Sequence, residues 1–232
     1  MAAADWMLPM LDFAAARRMM VDCQVHTSDV TDPRILAAML ELPRERFVAQ
    51  SNAQLAYLDL DVPVADAKGG EPVRRLLKPM VLGKLVQAAA VKAGDHVLDV
   101  GCATGYSSAV LARLAGSVIA LEENAALAAR AAENLTAVGA SNASVVTGPL
   151  PQGWPSASPY DVIFVNGATE IVPQALCRQL KDGGRLVAVV GPAPAGRAIV
   201  YRAVAGHVSG WPVFDASAPL LPGFAASPAF VF

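Results

Sequence analysis

Cysteine, charged residues and long apolar runs are all scarce in this chain of 232 residues. Its three cysteines, Cys23, Cys102 and Cys177, are scattered and form no C-x-x-C pair. An odd, scattered set argues against a disulfide framework and a cysteine-based zinc site, and it favours a reducing compartment. Charged residues make up 16% of the chain and the formal net charge is −2, so no basic field indicates a nucleic acid partner.

No apolar run reaches the length that would cross a bilayer. The segment from Met1 to Phe13 is apolar, but it contains Asp5 and Asp12 and has no basic leader, so it does not resemble a secretory signal. Hydrophobic residues make up 54% of the chain, which favours a folded globular protein over a disordered one. We therefore expect one cytoplasmic α/β domain with an appendage and without a membrane partner.

The most informative segment runs from His96 to Tyr106 and reads HVLDVGCATGY. An apolar strand leads into a turn of small residues, and a helix follows directly. Glu122 then closes a second apolar strand, which spans residues 117–121. Such a pattern is typical of α/β proteins that bind an adenosine-containing ligand, because small residues let the backbone approach the ligand and the downstream acid bonds the ribose hydroxyls.

The spacing within the turn distinguishes between two classes of ligand. A dinucleotide site needs G-x-G-x-x-G, with a helix N-terminus facing a pyrophosphate. Here the pattern is D-x-G-x-A-x-G, formed by Asp99, Gly101, Ala103 and Gly105. It resembles the first motif of S-adenosylmethionine-dependent methyltransferases, whose ligand has no phosphate. Taken alone, the motif also permits an ordinary strand-turn-helix corner or a nucleotide dehydrogenase, and NAD binding would be the check on the latter.

Strands and helices alternate along the rest of the chain, which implies parallel strands joined by right-handed crossovers. Strands are predicted at 96–100, 117–121, 143–147, 160–165 and 185–190, and helices at 79–90, 106–115, 124–138 and 171–180. Towards the N-terminus we expect helices over 13–25 and about 34–41, then a loop with short strands over 51–78. The sequence Lys181-Asp182-Gly183-Gly184 predicts a helix-ending turn, and 198–232 predicts two or three further strands with proline-rich joints.

Several further segments resemble one particular family. They read MVDCQV at 20–25, VTDPRILAAM at 30–39, LPRERFV at 42–48, VLDVG at 97–101, GY at 105–106, G at 148, GWP at 153–155, YDVIFV at 160–165 and QLKDGGRLV at 179–187. In order and spacing, over about residues 17–191, they resemble the protein-L-isoaspartate O-methyltransferases.

The resemblance implies a Rossmann-like class I methyltransferase fold. This is an α/β architecture with a mostly parallel seven-stranded sheet, helices on both faces and an N-terminal helical extension. It divides the chain into residues 1–78, the helical extension with a substrate-side loop, and residues 79–232, the cofactor-binding domain. It further implies methyl transfer from S-adenosyl-L-methionine to a free carboxylate of isoaspartyl residues in damaged proteins or peptides, which starts their repair and yields S-adenosyl-L-homocysteine.

The chemistry of this reaction makes few demands on the protein. A carboxylate at pH 7 is already an ionised nucleophile, and a sulfonium carries a good leaving group. The enzyme must mainly position the two reactants and exclude water, so a general base is unnecessary. The lack of an obvious catalytic His or Cys is therefore no argument against an enzyme.

The cofactor site that the resemblance implies covers the glycine turn, the acid after the second strand and a loop near residue 149. Its residues are Asp99, Gly101, Cys102, Ala103, Gly105, Tyr106, Glu122, Glu123, Pro149 and Leu150. Glu122 corresponds to the ribose-binding acid, against the alternative of a solvated carboxylate at a strand end. We expect Asp99 to orient the turn or to cap nearby backbone N–H groups, and Cys102 to fill a slot for a small residue.

The acceptor side departs from the family pattern. The family has a Thr-Ile-Ser-Gln-Pro segment whose Ser hydroxyl lies at the substrate carboxylate, and this chain has Arg75-Leu76-Leu77-Lys78-Pro79 there. Leu77 stands at the Ser position, so no catalytic residue is certain. The candidates for the acceptor side are Arg75, Lys78 and Asn166, since basic groups pair with carboxylates. The alternative is that both basic side chains belong to the solvated surface.

A second departure follows Gly148. The family has Gly-Asp-Gly there, with the Asp accepting from the adenine amino group, whereas this chain has Gly148-Pro149-Leu150. Proline has neither a side-chain acceptor nor a backbone N–H. The lost hydrogen bond would weaken cofactor binding by about 1–2 kcal/mol. Either the Leu150 N–H serves an adenine nitrogen, or Leu150 and Trp154 grip the ring by apolar contact.

Three hypotheses therefore remain open. The chain is an active isoaspartyl methyltransferase, a methyltransferase with a different acceptor, or a non-catalytic binding module on the same scaffold. The first rests on the ordered motifs, and the other two rest on Leu77 and Pro149. No metal is implied by any of them, and the oligomeric state is not predicted.

Overall fold

The computed structural model of the protein describes residues 12–65, 73–171, 173–191 and 194–226. Most of the apolar start of the chain, the Lys-Gly-Gly part of the predicted 51–78 loop and the end of the C-terminal tail lie outside these residues. The helices are α1 (Phe13–Met20), α2 (Pro33–Glu41), α3 (Pro79–Ala89), α4 (Tyr106–Ala112), α5 (Ala125–Ala137) and α6 (Gln174–Cys177). The strands are β1 (Val62–Pro63), β2 (Arg75–Leu76), β3 (His96–Val100), β4 (Ser117–Glu122), β5 (Ala143–Thr147), β6 (Tyr160–Thr169), β7 (Leu180–Val190), β8 (Arg197–Val204) and β9 (His207–Asp215).

One seven-stranded sheet organises the fold, in the order β5-β4-β3-β6-β7-β8-β9. The pairs from β5 through β7 are parallel, and β8 runs antiparallel to both of its neighbours. The helices α4, α5 and α6 provide the connections between successive parallel strands, as parallel pairing requires. The structure thus confirms the mostly parallel seven-stranded sheet of the predicted fold class.

Successive residues of the central strands face opposite sides of the sheet. Val97 and Val162 pack on one side with α3, α4, α5 and the N-terminal helices. Leu98 and Ile163 pack on the other side, which α6, two short 3₁₀ turns and the C-terminal segment cover. Both sides are buried, which explains why these strands read as continuous apolar runs in the sequence.

The N-terminal helices match their predictions. Helix α1 continues through a π-helical turn at Val21–Val25, so the chain is helical over 13–25 as expected. The Asp12 carboxylate accepts two backbone N–H groups of its first turn, and Asp32 caps α2 with Pro33 at the first helical position. Both caps are ordinary helix-start chemistry, which is why the sequence was sufficient to find these helices.

The predicted helix at 171–180 is wrong in length, because α6 spans only Gln174–Cys177 and β7 already begins at Leu180. The predicted turn at 181–184 is also wrong. Leu180 pairs with Tyr160, and the register then shifts before Arg185 pairs with Val162. The Gly-containing stretch therefore forms a bulge inside the strand, with Gly183 at φ +77°.

Three smaller differences concern element ends. Helix α4 stops at Ala112 rather than at residue 115, and β6 extends to Thr169. Asn166 therefore belongs to β6 instead of following it. The C-terminal segment explains the extension, since the N–H of Ala168 donates to the Pro219 carbonyl at 2.8 Å. Within the described part of the predicted 198–232 region, two strands form, β8 and β9, and a tight turn at residues 205–206 joins them without proline.

A buried cation attaches the N-terminal helices to the sheet domain. Arg44 is fully buried, and its Nε and Nη2 donate to the carbonyls of Ala56 and Leu77, both at 2.7 Å. Its guanidinium lies 4.7 Å from the centroid of the Tyr106 ring. Arg44 thus connects the segment before α3 to the first residue of α4. Among the described residues, no helix is long and apolar enough to cross a membrane.

We expect Arg44→Ala to lower the free energy of unfolding by about 2–4 kcal/mol, because it leaves two buried carbonyls without a donor. Urea unfolding would measure the loss. The matched control is Arg197→Ala, since Arg197 is 64% exposed and pairs only with an exposed carboxylate. Equal losses in the two variants would contradict this role for Arg44.

Candidate functional site

The turn after β3 lies where chain order reverses in the sheet, with β4 on one side and β6 on the other. Ligands of open α/β sheets bind in this crevice. Gly101, Ala103 and Gly105 have φ values of +79°, +51° and +94°, so alternate residues of the turn are left-handed. A Cβ on Gly101 would lie 2.9 Å from Arg74 Nη2, and one on Gly105 would lie 3.3 Å from Ala131 Cβ. The small residues of the motif are therefore required both by backbone conformation and by close neighbours.

Glu122, at the end of β4, is fully buried. Its Oε2 accepts the Ala103 N–H at 2.8 Å, and its Oε1 accepts the N–H groups of Glu123 and Asn124 at 3.1 and 3.2 Å. Arg74 Nη2 lies 3.3 Å from Oε2 and forms an ion pair with it. The alternative of a solvated strand-end carboxylate is therefore wrong, and Glu122 directly braces the glycine turn.

Asp99 is also fully buried, one residue before the end of β3. Its Oδ2 accepts the hydroxyls of Ser107 and Ser108, both at 2.6 Å, while its Oδ1 has no partner. Burial raises the pKa of the Asp99 carboxyl to about 6. Asp99 therefore holds the first turn of α4 by accepting hydrogen bonds from two serine hydroxyls. The prediction that it caps backbone N–H groups is wrong.

The other residues predicted from the turn lie behind it. Cys102 is fully buried, and burial raises the pKa of its thiol well above the usual value. The side chain therefore fills space in the core, as predicted, and does not form a reactive thiolate. Tyr106 is buried as well, and its ring packs edge-on against Phe47, with centroids 5.3 Å apart. Their side chains support the turn from the core side.

A groove of about 690 Å³ opens beside Glu122, and we call it the Glu122 groove. Its lining residues are Arg74, Glu122, Glu123, Asn124, Gly148, Pro149 and Pro222. The structure thus brings Pro149 and the predicted ribose-binding acid to one groove. Leu150 is fully buried in the core on the α6 side and does not line the groove, so its burial argues against an apolar grip on adenine through that side chain.

A smaller cavity of about 250 Å³ adjoins the turn, and we call it the Asn166 cavity. It is lined by Val73, Arg74, Arg75, Asn166, Pro219, Leu220, Leu221, Pro222, Gly223 and Ala225. Arg74 and Pro222 line both this cavity and the Glu122 groove. The C-terminal segment forms one wall, held in place because the Leu221 N–H donates to the carbonyl of Ala168 at 2.9 Å.

Only two of the acceptor-side candidates lie at the Asn166 cavity. Asn166 is buried and its Nδ2 donates to the Gly101 carbonyl at 3.1 Å, and Arg75 is exposed at the cavity rim. Lys78 lines neither space and leads into α3. Leu77, at the family's Ser position, is 2% exposed and packs in the core. No hydroxyl replaces the missing Ser at that position.

Sequence reasoning missed Arg74, the two serines of α4 and the wall formed by the C-terminal segment. Arg74 stands next to the candidate Arg75 in the segment that departs from the family, and this was the available signal. Ser107 and Ser108 follow the motif directly, at the start of a helix. Nothing local to Leu221 indicates its place, because its partner Ala168 is more than fifty residues earlier in the chain.

The polar groups at the turn fit a nucleoside ligand without phosphate. The groove has a buried carboxylate, Glu122, at the end of β4, and the unpartnered Oδ1 of Asp99 marks a polar position beneath the turn. Within the described parts of the chain, no cluster of three or more His, Cys, Asp or Glu side chains could hold a metal ion. Fold and site together define an α/β protein of the class that binds adenosine ligands at the carboxyl edge of its sheet.

Comparison with known proteins identifies the family. The family model for protein-L-isoaspartate(D-aspartate) O-methyltransferase matches residues 16–208. A protein-L-isoaspartate O-methyltransferase 1 from Rhodopseudomonas palustris (strain HaA2) is 39% identical over 179 residues, or 77% of this chain and 71% of its own length. A protein-L-isoaspartate O-methyltransferase from Koribacter versatilis (strain Ellin345) is 36% identical over 219 residues, or 94% and 96% of the two chains. The chain belongs to the protein-L-isoaspartate(D-aspartate) O-methyltransferase family.

Solved structures agree on the fold. One protein-L-isoaspartate O-methyltransferase superposes with a TM-score of 0.78 at 27% identity, over 89% of this chain and 66% of that protein. A second structure, from Plasmodium falciparum, is described as a beta-aspartate methyltransferase in complex with S-adenosyl-L-homocysteine. It gives a TM-score of 0.72 over 88% of this chain and 97% of its own. Because the two sequences are only 16% identical, this match shows the fold alone. The chain is thus a Rossmann-like S-adenosylmethionine-dependent O-methyltransferase, which confirms the predicted fold class and cofactor.

We expect Glu122→Gln to weaken the binding of S-adenosyl-L-homocysteine about 10- to 100-fold, because an amide cannot accept from ribose hydroxyls as a carboxylate does. Calorimetric titration measures the affinity. Glu133→Gln, on the exposed side of α5, is the matched control. An unchanged affinity in Glu122→Gln would remove Glu122 from the cofactor site.

The raised pKa of Asp99 predicts a pH dependence of stability. Between the ordinary pKa near 3.8 and the native value of about 6, the folded state keeps a proton that the unfolded state releases. The free energy of unfolding should therefore fall by about 3 kcal/mol as pH rises across this range. Urea unfolding from pH 4 to pH 8 would show it, and the slope should be shallower in Asp99→Asn. Parallel curves of stability against pH for the unmodified protein and Asp99→Asn would contradict the raised pKa of Asp99.

Proposed function

We propose that this chain methylates the free carboxylate of isoaspartyl residues in damaged proteins and peptides. The observation that carries the proposal is the adjacency of two spaces at the glycine turn. The Glu122 groove presents a buried carboxylate, as a ribose requires, and the Asn166 cavity beside it presents two arginines and an amide. Two arginines and an amide in an otherwise apolar cavity next to a cofactor groove suit an anionic acceptor. The family match over residues 16–208 supports the same acceptor.

The proposed division of labour follows from the positions of the side chains. Glu122 would hold the ribose, and the backbone of the turn from Gly101 to Gly105 would lie against the methionine part of the cofactor. S-adenosylmethionine, when bound, supplies a methyl group on a sulfonium, and its transfer forms a C–O bond to the carboxylate, breaks the S–C bond and leaves a neutral thioether. Asn166 and Arg75 would orient the acceptor, and no side chain has to move a proton.

Other parts of the proposal rest on composition and on the layout of the chain. We divide the chain into residues 1–78, the helical extension with the substrate-side loop, and residues 79–232, the cofactor-binding domain. The unpaired cysteines favour a cytoplasmic site of action. The net charge of −2 favours protein or peptide partners over nucleic acids, and we propose no membrane partner.

A second candidate function is methyl transfer to a different acceptor. The burial of Leu77 favours it, because the side chain at the family's Ser position does not reach the Asn166 cavity. This alternative predicts cofactor binding without turnover of an isoaspartyl peptide.

We expect the purified protein to transfer a labelled methyl group to an isoaspartyl peptide and not to the same peptide with ordinary aspartate. The two peptides have the same charge, so the comparison isolates the geometry of the acceptor. Turnover of neither peptide at saturating cofactor and peptide would exclude the proposed acceptor. Methylated protein in a lysate treated with labelled cofactor would then support a different acceptor.

We expect Leu77→Ser to lower stability by about 2–5 kcal/mol without raising isoaspartyl turnover, because the side chain lies in the core. Urea unfolding and the methyl transfer assay measure the two effects. Higher turnover with Ser at this position would show that the residue reaches the acceptor after all.

A further inference from the structure

Arg74, directly before β2, points its guanidinium into the crevice of the sheet. Its side chain is only 12% exposed. Nη2 donates to the Gly101 carbonyl at 2.8 Å and lies 3.3 Å from Glu122 Oε2. The division of labour proposed for Glu122, Asn166 and Arg75 gives no individual role to this buried cation.

One end of the Arg74 guanidinium has no partner. Nη1 is buried and makes no hydrogen bond to any described residue. A buried charged donor without an acceptor is costly, so the site favours an anionic ligand at this atom. A guanidinium is well suited to such a ligand, since its planar fork matches the geometry of a carboxylate.

Arg74 and a ribose would compete for the same carboxylate. Three backbone N–H groups and Arg74 surround Glu122, and of these only the guanidinium belongs to a side chain that can move away. Arg74 Nη2 also lies close to the turn, since a Cβ added to Gly101 would be only 2.9 Å from it. Binding of the cofactor ribose to Glu122 therefore requires the Arg74 side chain to shift.

The space available to the shifted side chain is the Asn166 cavity, which Arg74 already lines together with the Glu122 groove. Asn166 donates to the same Gly101 carbonyl as Arg74, so the two side chains converge on one point of the turn. A small displacement would bring the guanidinium fork and the Asn166 amide to face a ligand in that cavity.

We propose that Arg74 binds the acceptor carboxylate in place of the absent Ser hydroxyl, and that it exchanges its ion pair with Glu122 for this role when ribose binds to Glu122. This inference rests on the proposed function, because it takes the acceptor to be a carboxylate. Binding of the cofactor then prepares the acceptor site, so the two substrates bind in order. One acceptor oxygen lies on Arg74, and the other remains free to attack the methyl group.

The same charge argument explains how the methylated product is released. Methyl transfer converts the carboxylate into an uncharged ester, so Arg74 loses its charge partner and the product is held less tightly than the acceptor. When the cofactor product leaves, Glu122 is again available to Arg74.

The test compares Arg74→Gln and Arg74→Lys with Arg197→Gln, a control that removes an exposed arginine on β8, next to the edge strand β9. Calorimetry measures the affinity for S-adenosyl-L-homocysteine. We expect Arg74→Gln to bind it about 2- to 10-fold more tightly, the change that one net hydrogen bond represents, because the competitor for Glu122 is gone. In a Glu122→Gln background the same substitution should have no effect on this affinity.

The acceptor side is measured in two ways. At saturating cofactor, Arg74→Gln should raise the KM for an isoaspartyl peptide and lower kcat/KM about 10- to 100-fold, with Arg74→Lys between it and the unmodified protein. Binding of the peptide to the S-adenosyl-L-homocysteine complex, measured without turnover, should weaken to a similar degree. Arg197→Gln should leave all three quantities unchanged.

Two results would overturn the inference. Weaker cofactor binding in Arg74→Gln would mean that Arg74 supports the turn or binds the carboxylate of the cofactor itself. Unchanged peptide binding and KM would mean that it does not hold the acceptor. If the unmodified protein binds the peptide but does not methylate it, the proposed function fails, whereas tighter cofactor binding with weaker peptide binding in Arg74→Gln would still support the exchange.

Discussion

The buried carboxylate of Glu122 is the constraint on which the rest of the site depends. A charge removed from water is tolerated only where hydrogen bonds and an opposite charge compensate it. Three backbone N–H groups and Arg74 provide that compensation, and they come from the turn after β3, from the end of β4 and from the loop before β2. Satisfying one side chain therefore brings together three segments that are far apart in sequence.

The same constraint explains why the two spaces of the site adjoin each other. Arg74 and Pro222 line both the Glu122 groove and the Asn166 cavity, and Arg74 also pairs with the carboxylate that braces the turn. Beneath the turn, Asp99 holds α4 through two serine hydroxyls, so the start of the helix is held by side chains from the strand before it. A turn held by buried hydrogen bonds, with a cation beside it, suits a reaction that depends on positioning two reactants rather than on proton transfer.

Local signals were sufficient to predict much of the fold. Asp12 and Asp32 are helix caps, and the apolar runs at 96–100 and 117–121 are buried on both faces of the sheet, so each could be recognised from adjacent residues. The helix predicted at 171–180 failed for the opposite reason. Leu180 joins Tyr160 in a strand pair, and the glycines at 183–184 form a bulge against that neighbouring strand, so a turn signature was overridden by tertiary pairing. The resemblance likewise predicted a ribose-binding acid at Glu122, and the departures from the family at Leu77 and Pro149 were visible in the sequence itself.

The sequence by itself determined the alternating strands and helices, the small-residue turn, the acid at position 122 and the resemblance to the isoaspartyl methyltransferases. Each of these depends on residues close together in the chain, where periodicity and backbone conformation leave few alternatives. Only the tertiary structure decided that Arg74 pairs with Glu122, that Leu77 faces the core, and that the C-terminal segment closes the Asn166 cavity against β6. These contacts join distant segments, and burial of charge and apolar surface is settled only when the whole chain is packed.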